Sequence, residues 1–242
     1  MCTVSFVPAG DKLFIAHNRD EKNIRPRAIE PRQYRVNGHE LLFPRDTLAG
    51  GSWLAVNAFG AVAVLLNGAF VKHNPQPPYR KSRGLVLLDI IAAEDVYRCW
   101  EHIALQGIEP FTVVLWNNGR LYEGRWDGLQ KHTVELDALL AHTWSSATLY
   151  SNDIIALRQQ WFARWRQQHP QPALQDMVQY HLFGGDGDRH NDLRMNRNNS
   201  MLTVSITAME LCADQCRVQY LDLQNNTAYT QDFSFTQLAF QQ

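Results

Sequence analysis

The sequence has little that would staple or anchor it. Its 242 residues contain only four cysteines, Cys2, Cys99, Cys212 and Cys216. That is too few, and too scattered, for the disulfide frameworks of small secreted domains, so each thiol is read singly, in a reducing, cytoplasmic setting. Charge of one sign is also missing. With 23 basic and 24 acidic residues the formal net charge is −1, which leaves no global field to recruit nucleic acid or an anionic membrane surface. Long apolar runs are absent too. Pro8, Gly10, Asp11 and Lys12 interrupt the first residues, so no secretion signal is expected. The longest apolar run, Ala58 to Leu66, is about half of the ~20 residues a membrane-spanning helix needs, so no membrane insertion is expected. These absences favour a small-molecule substrate or an amphipathic ligand as partner.

What is present is a core. Hydrophobic residues make up 45% of the chain and aromatics 11%, with seven tryptophans, ample for a large buried interior. Thr3–Val7 and Leu13–Ala16 read as strands of an N-terminal hairpin across the turn-rich Pro8 to Asp11. From Glu21 to Leu48 the density of Arg, Pro and Asn predicts an irregular loop with one weak strand. Trp53–Val56 and Ala61–Leu66 read as strands across Asn57 to Gly60, the second apolar on both faces. Ser82 is placed to cap one helix over about Gly84 to Ala104, carried by Leu85, Leu88, Ile91, Ala92 and Val96. Phe111–Trp116 and Leu121–Trp126 form a hairpin on Asn117-Asn118-Gly119-Arg120. Ser151 or Asn152 starts a helix to about Gln168, and Pro172–Leu182 is a shorter one. Gly184–Asn199 is a polar loop. Leu202–Ala208, Arg217–Leu223 and Tyr229–Phe235 close the chain as strands. No linker or repeat divides it. The expected class is α+β, antiparallel sheets with helices outside, as a single domain over 1–242.

Chemistry is sought first at Cys2. A cysteine there permits removal of Met1, leaving a thiol and a free α-amine on one residue. That amine has a reference pKa of about 7.7–8.0 and is a suitable base for the thiol near neutral pH. His17-Asn18-Arg19-Asp20, followed by Glu21, is a dense polar cluster at the end of the second strand. The hairpin brings it toward position 2, where Asp20 could hold the amine or thiol and Arg19 could lower the thiol pKa. Taken alone, the same cluster also suits a solvated turn with a surface ion pair. Asn67 ends the buried Ala61–Leu66 strand, either as an oxyanion donor or as an ordinary Asn-Gly turn.

Met1-Cys2 together with Asn18-Arg19-Asp20-Glu21 resembles the NRDE family, of transport and Golgi organisation type. The resemblance extends over Gly50 to Val56 with Gly60 and Asn67, Arg83-Gly84, Trp144 to Tyr150, and Asn191-Asp192 to Ser205, essentially the whole chain. The family is similar to the N-terminal nucleophile (Ntn) cysteine hydrolases, which include bile salt hydrolase, penicillin V acylase and acid ceramidase. The resemblance implies a four-layer αββα sandwich of two antiparallel sheets. It also implies a cysteine amidohydrolase or acyltransferase acting on carbon–nitrogen amide bonds. Cys2 then matches the nucleophile, Asp20 its Asp contact and Asn67 an oxyanion-hole amide. The hydrolases' Arg-Asn-x-Asp aligns with His17 to Asp20, so His17 rather than Arg19 falls at the Arg position. Their second Asn falls at Ser146, Thr148 or Asn152, and a late Arg at Arg197. No cofactor is implied. These departures keep a non-catalytic alternative open: a carrier of haem or lipid in the same cleft, with haem as ligand only and Cys2 or a His as its axial ligand.

Other motifs carry less. Asp186-x-Asp188-x-His190-x-Asp192 lacks the glycine of a calcium loop and has Arg197 where a bidentate Glu is needed. Cys212-x-x-x-Cys216 has no second ligand pair at zinc spacing. Trp161, Phe162 and Trp165 are spaced as helix-core residues.

Overall fold

Turn chemistry decides which strands pair. The structure, a computed structural model, describes residues 2–236, Cys2 by its backbone alone. The opening hairpin is β1 (Cys2–Ala9) and β2 (Lys12–Lys22). A second hairpin follows, β3 (Ile29–Val36) and β4 (His39–Arg45), where an irregular loop with one weak strand is expected from the sequence. The turn that makes it is Asn37-Gly38, at φ +50° and +87°, the two-residue positive-φ connection that matches strand twist. Pro31 is tolerated because β3 is an edge strand and its register slips between Ile29 and Arg32, the places where a missing N–H costs no ladder bond.

Next come β5 (Leu54–Asn57) and β6 (Val62–Asn67), as expected. The single helix expected over 84–104 is instead two, α1 (Arg83–Ile91) and α2 (Val96–His102). Asp95 accepts from the N–H groups of Tyr97 and Arg98, so it caps a new helix rather than continuing the old one. Ser82 does cap α1, through the Leu85 N–H. The chain continues through β7 (Phe111–Asn117), β8 (Arg120–Trp126), β9 (Lys131–Leu136) and β10 (His142–Ser145). Then come α3 (Asn152–Gln168), α4 (Leu174–Phe183), the two-residue β11 (Asn196–Arg197), β12 (Met201–Leu211), β13 (Gln215–Asp222) and β14 (Thr227–Ser234).

Two antiparallel sheets result. The first runs β10-β1-β2-β12-β13-β14, with β11 on β12, and the second runs β3 to β9 in chain order. Val4, Phe6, Ile15 and Met209 of the first sheet meet Leu54, Val64, Leu66 and Val114 of the second. The second sheet's other face is covered by α1 and α2 through Leu87, Ile90, Ile91 and Trp100. The first sheet's other face is covered by Phe162, Trp165, Met177 and Val178, from α3 and α4. The layers are therefore α, β, β, α, each sheet burying both faces. No helix among the described residues is long and apolar enough to cross a membrane.

Candidate active site

The polar cluster of β2 is divided by the pleat of its strand. Successive strand residues point to opposite faces, so Asn18 and Asp20 face the helices while His17 and Arg19 face the other sheet. Cys2 is the register partner of Arg19, Thr3 of Asn18 and Val4 of His17. The Cys2 side chain lies outside the described residues.

On the helix side, Asn18 is fully buried and its Nδ2 donates to the carbonyls of His181 (3.0 Å) and Leu193 (2.7 Å). Its Oδ1 is then the acceptor for His181 Nδ1 at 2.6 Å, and His181 Nε2 faces Ser5 Oγ at 3.0 Å. With Nδ1 donating to Asn18, the neutral imidazole accepts from the Ser5 hydroxyl at Nε2. Burial, helped by the charge of Arg158, holds the His181 pKa down to about 3. Asp20, also fully buried, accepts from Tyr150 Oη at 2.9 Å and Thr203 Oγ1 at 2.7 Å. A bulge between Thr203 and Ser205 turns the threonine to this face. Burial raises the Asp20 pKa; Arg158 and the two hydroxyl donors oppose the rise. Arg158 is 1% exposed; it donates to Thr3 Oγ1 and to the carbonyls of Asn191 and Asp192, and stacks on Tyr150 at 3.6 Å. Tyr150, Arg158 and Thr203 are neighbours of Asp20 that the sequence reading did not single out. Tyr150 lies within a block that carries the family resemblance, whereas Arg158 carries no signal in sequence.

On the sheet side, Arg19 stacks on Trp53 at 4.4 Å and reaches Asp46 at 2.5 Å. Asp46 also holds Arg25 bidentately and accepts from the N–H groups of Leu48 and Ala49. Burial opposes ionisation of Asp46, but Arg25, the Ala49 N–H and Arg19 outweigh it and leave the carboxyl below its usual range. The loop so tied crosses the start of α1 at two glycines. A Cβ on Gly51 would lie 2.3 Å from the Gly84 carbonyl carbon, and one on Gly84 2.7 Å from the Ser52 oxygen. The result is a pocket of about 140 Å³ lined by Arg19, Trp53, Leu65, Asn67 and Arg83. His17 is 0% exposed and does not line it. Burial pushes its pKa well down. The Leu65 carbonyl opposes that shift without meeting hydrogen-bond geometry.

Asn67 and Arg83 are shared with a larger cleft of about 970 Å³. Asn67 is held through its backbone. Its carbonyl accepts from Ser146 Oγ at 2.8 Å, and Ser146 Oγ meets Thr148 Oγ1 at 3.0 Å. Ser146 is buried, whereas Thr148 and Asn152 line the cleft. Arg197 lines it too, donating to the Leu149 carbonyl and lying over Tyr150 at 5.4 Å. The walls carry Lys22, Lys72, Arg83 and Arg197 against Glu109, with Phe70, Val71, Leu149 and Met201 as apolar surface. Of the polar loop Gly184–Asn199, Arg197 lines the cleft and the Asp186 to Asp192 segment does not. That loop is held instead by Asp192 Oδ1, which accepts from the N–H groups of Asp186 and Gly187.

A family model described as Transport and Golgi organisation 2 matches residues 1–181. The chain belongs to that family. The match includes the β2 and Asn67 walls of both pockets and Asp46 of the smaller one, and stops before Arg197 and β12. Two solved structures share the fold. A mutant of a conjugated bile acid hydrolase from Clostridium perfringens is 12% identical, with a TM-score of 0.54 over 98% of this chain and 97% of that one. An N-acylethanolamine-hydrolyzing acid amidase ortholog from Caenorhabditis elegans is 13% identical, with a TM-score of 0.55 over 86% and 92%. The chain thus shares the overall architecture of these two hydrolases. No curated protein sequence matches the chain.

Proposed function

We propose that the chain is an N-terminal cysteine amidohydrolase or acyltransferase, acting on a small amphipathic amide once Met1 is removed. The observation that carries this is the juxtaposition at the head of β1 and β2. Cys2 pairs with Arg19, which lines a pocket opening past Asn67 into a cleft with cationic and apolar walls. Asp20, held by Tyr150 and Thr203, lies directly behind.

In this reading the α-amine takes the Cys2 thiol proton and the thiolate attacks the amide carbonyl. The oxyanion is met by the Asn67 amide, the leaving amine receives the proton, and water releases the acyl thioester. Asp20 positions the α-amine. Lys22, Lys72 and Arg197 favour a substrate with an acidic end, Arg83 being paired with Glu109 at 3.0 Å, and Phe70, Val71 and Met201 favour its apolar part. Intact-mass analysis tests it: an acylating amide or lactone probe adds one acyl mass to the Met-free chain and none to Cys2→Ala. Asn67→Ala lowers the acylation rate about 10²–10³-fold, the usual loss for one oxyanion donor. A native protein that retains Met1 refutes the proposal.

The size and amphipathic lining of the cleft also support a second reading, carriage of an amphipathic ligand without turnover. Haem ligated by the cleft's own imidazole fits poorly. His73 has Nε2 on Glu109 at 3.1 Å and Nδ1 buried. A haem titration that gives no Soret band removes the haem version, and a band unchanged in Cys2→Ala removes Cys2 as its ligand.

A further inference from the structure

Unpaired polar atoms are concentrated in one place. Of the seven buried side-chain nitrogen and oxygen atoms without a partner among the described residues, five belong to His17, Ser205, Thr207 and Trp53. Register explains the grouping. Ser205 is the β12 partner of Arg19, and Thr207 of His17, so on the sheet face turned to the second sheet they form two rows. One row runs Cys2, Arg19, Ser205 and the next Val4, His17, Thr207. Trp53 sits against Arg19 from the opposite sheet. All four are 5% exposed or less. The Tyr220 hydroxyl approaches Ser205 outside hydrogen-bond geometry.

Folded proteins rarely leave such groups unsatisfied, since each carries its desolvation cost. The Leu65 carbonyl near His17 and the Tyr220 hydroxyl near Ser205 fall short of hydrogen-bond geometry, and even a direct bond between His17 and Thr207 would leave the indole N–H of Trp53. Buried water makes about three bonds and both donates and accepts. A neutral imidazole, two hydroxyls and an indole N–H offer it both roles.

We infer that His17, Thr207, Ser205 and Trp53 hold ordered water between the sheets beside the Arg19 pocket, and that this site supplies the water that hydrolyses the acyl thioester. The supply role rests on the function proposed above; the water site does not. In the step itself the water oxygen bonds to the acyl carbon and the carbon–sulfur bond breaks, its electron pair staying on sulfur. The water proton passes through the α-amine to that sulfur, giving a free acid and the thiol.

A crystal structure at high resolution reads the site. Ordered water within hydrogen-bond distance of a His17 ring nitrogen and Thr207 Oγ1 is expected, and direct contacts without water overturn it. Thr207→Val then separates the cases in solution. It lowers Tm if the hydroxyl holds water and raises Tm if the hydroxyl is unpaired; Thr207→Ser, which keeps the hydroxyl, recovers the loss. For the supply role, rapid mixing with a chromogenic p-nitrophenyl acyl ester, whose fast acylation leaves thioester hydrolysis rate-limiting, is read in two phases. In Ser205→Ala/Thr207→Val the acylation burst persists while the steady-state rate falls about tenfold. An unchanged steady state overturns the supply role. A wild-type chain that takes up no acyl mass at Cys2 overturns the proposed function and the supply role with it, while the crystallographic water is still read independently.

Discussion

Acid should unfold this protein earlier than its surface charge suggests, and His181 lets the size of the effect be worked out. The imidazole is fully buried between Asn18 and Ser5, with its pKa moved from 6.5 to about 3. A base whose pKa is depressed by folding contributes stability that is complete above its unfolded pKa and is lost as pH falls through it, because the unfolded chain binds the proton first. At about 1.4 kcal/mol per pH unit, lowering pH from 7.5 to 5 removes about 2 kcal/mol through His181, with a ceiling of about 5 kcal/mol below pH 3. His17, shifted in the same direction, adds to the loss in both wild type and variant. Asp20, whose pKa is raised, acts in the opposite sense and is also common to both. The difference between wild type and His181→Gln therefore isolates one residue. Gln keeps a donor toward Asn18 and an acceptor toward Ser5. Urea unfolding at pH 7.5, 6 and 5 should show the variant less stable at pH 7.5 and the gap closing by about 2 kcal/mol at pH 5. Parallel pH profiles would show that His181 is not the buried neutral group described.

Two further outcomes follow from the loop that frames the small pocket. Gly51→Ala forces a methyl onto the Gly84 backbone and should cost about 3 kcal/mol, lowering Tm by about 6–12 °C in a calorimeter; a Tm within 2 °C of wild type would mean that the crossing yields. Arg19→Leu leaves Asp46 with Arg25 and two loop N–H groups, so a loss of only about 1–3 kcal/mol is expected. Amide exchange at Leu48 and Ala49 should accelerate, and Arg19→Lys should not restore the stacking on Trp53.

Much of the architecture is legible in the residues. The hairpin on Asn118-Gly119, the Ser82-capped α1 and the doubly apolar β6 follow from local turn and cap chemistry, whereas α3 starts after Ser151 without a side-chain cap bond. The β3–β4 hairpin is hidden by Pro26, Pro31 and Pro44, because a proline excludes an interior ladder position while an edge strand and a bulge accept it. The α1–α2 break is hidden because its apolar spacing runs on through Asp95. At the site, Cys2, Asp20 and Asn67 stand out because their types suit amide chemistry. Tyr150, Thr203 and Arg158 do not, since their roles depend on a β12 bulge and on which face of β2 each neighbour meets. The placing of His17 away from the pocket has the same cause. Period two sends it inward with Arg19, but one residue pair deeper.

The division of the β2 cluster between two faces has a consequence for how this sequence can change. Asn18 answers to His181 and Leu193, while Arg19 answers to Asp46 and Trp53, on opposite faces of the strand. Substitution in one set is expected to call for compensation within that set alone. Across relatives, adjacent letters of a single tetrapeptide would then drift with different distant partners, position 18 with 181 and position 19 with 46. A motif that looks like one unit on paper is, in evolutionary terms, two independent contracts written on alternate residues.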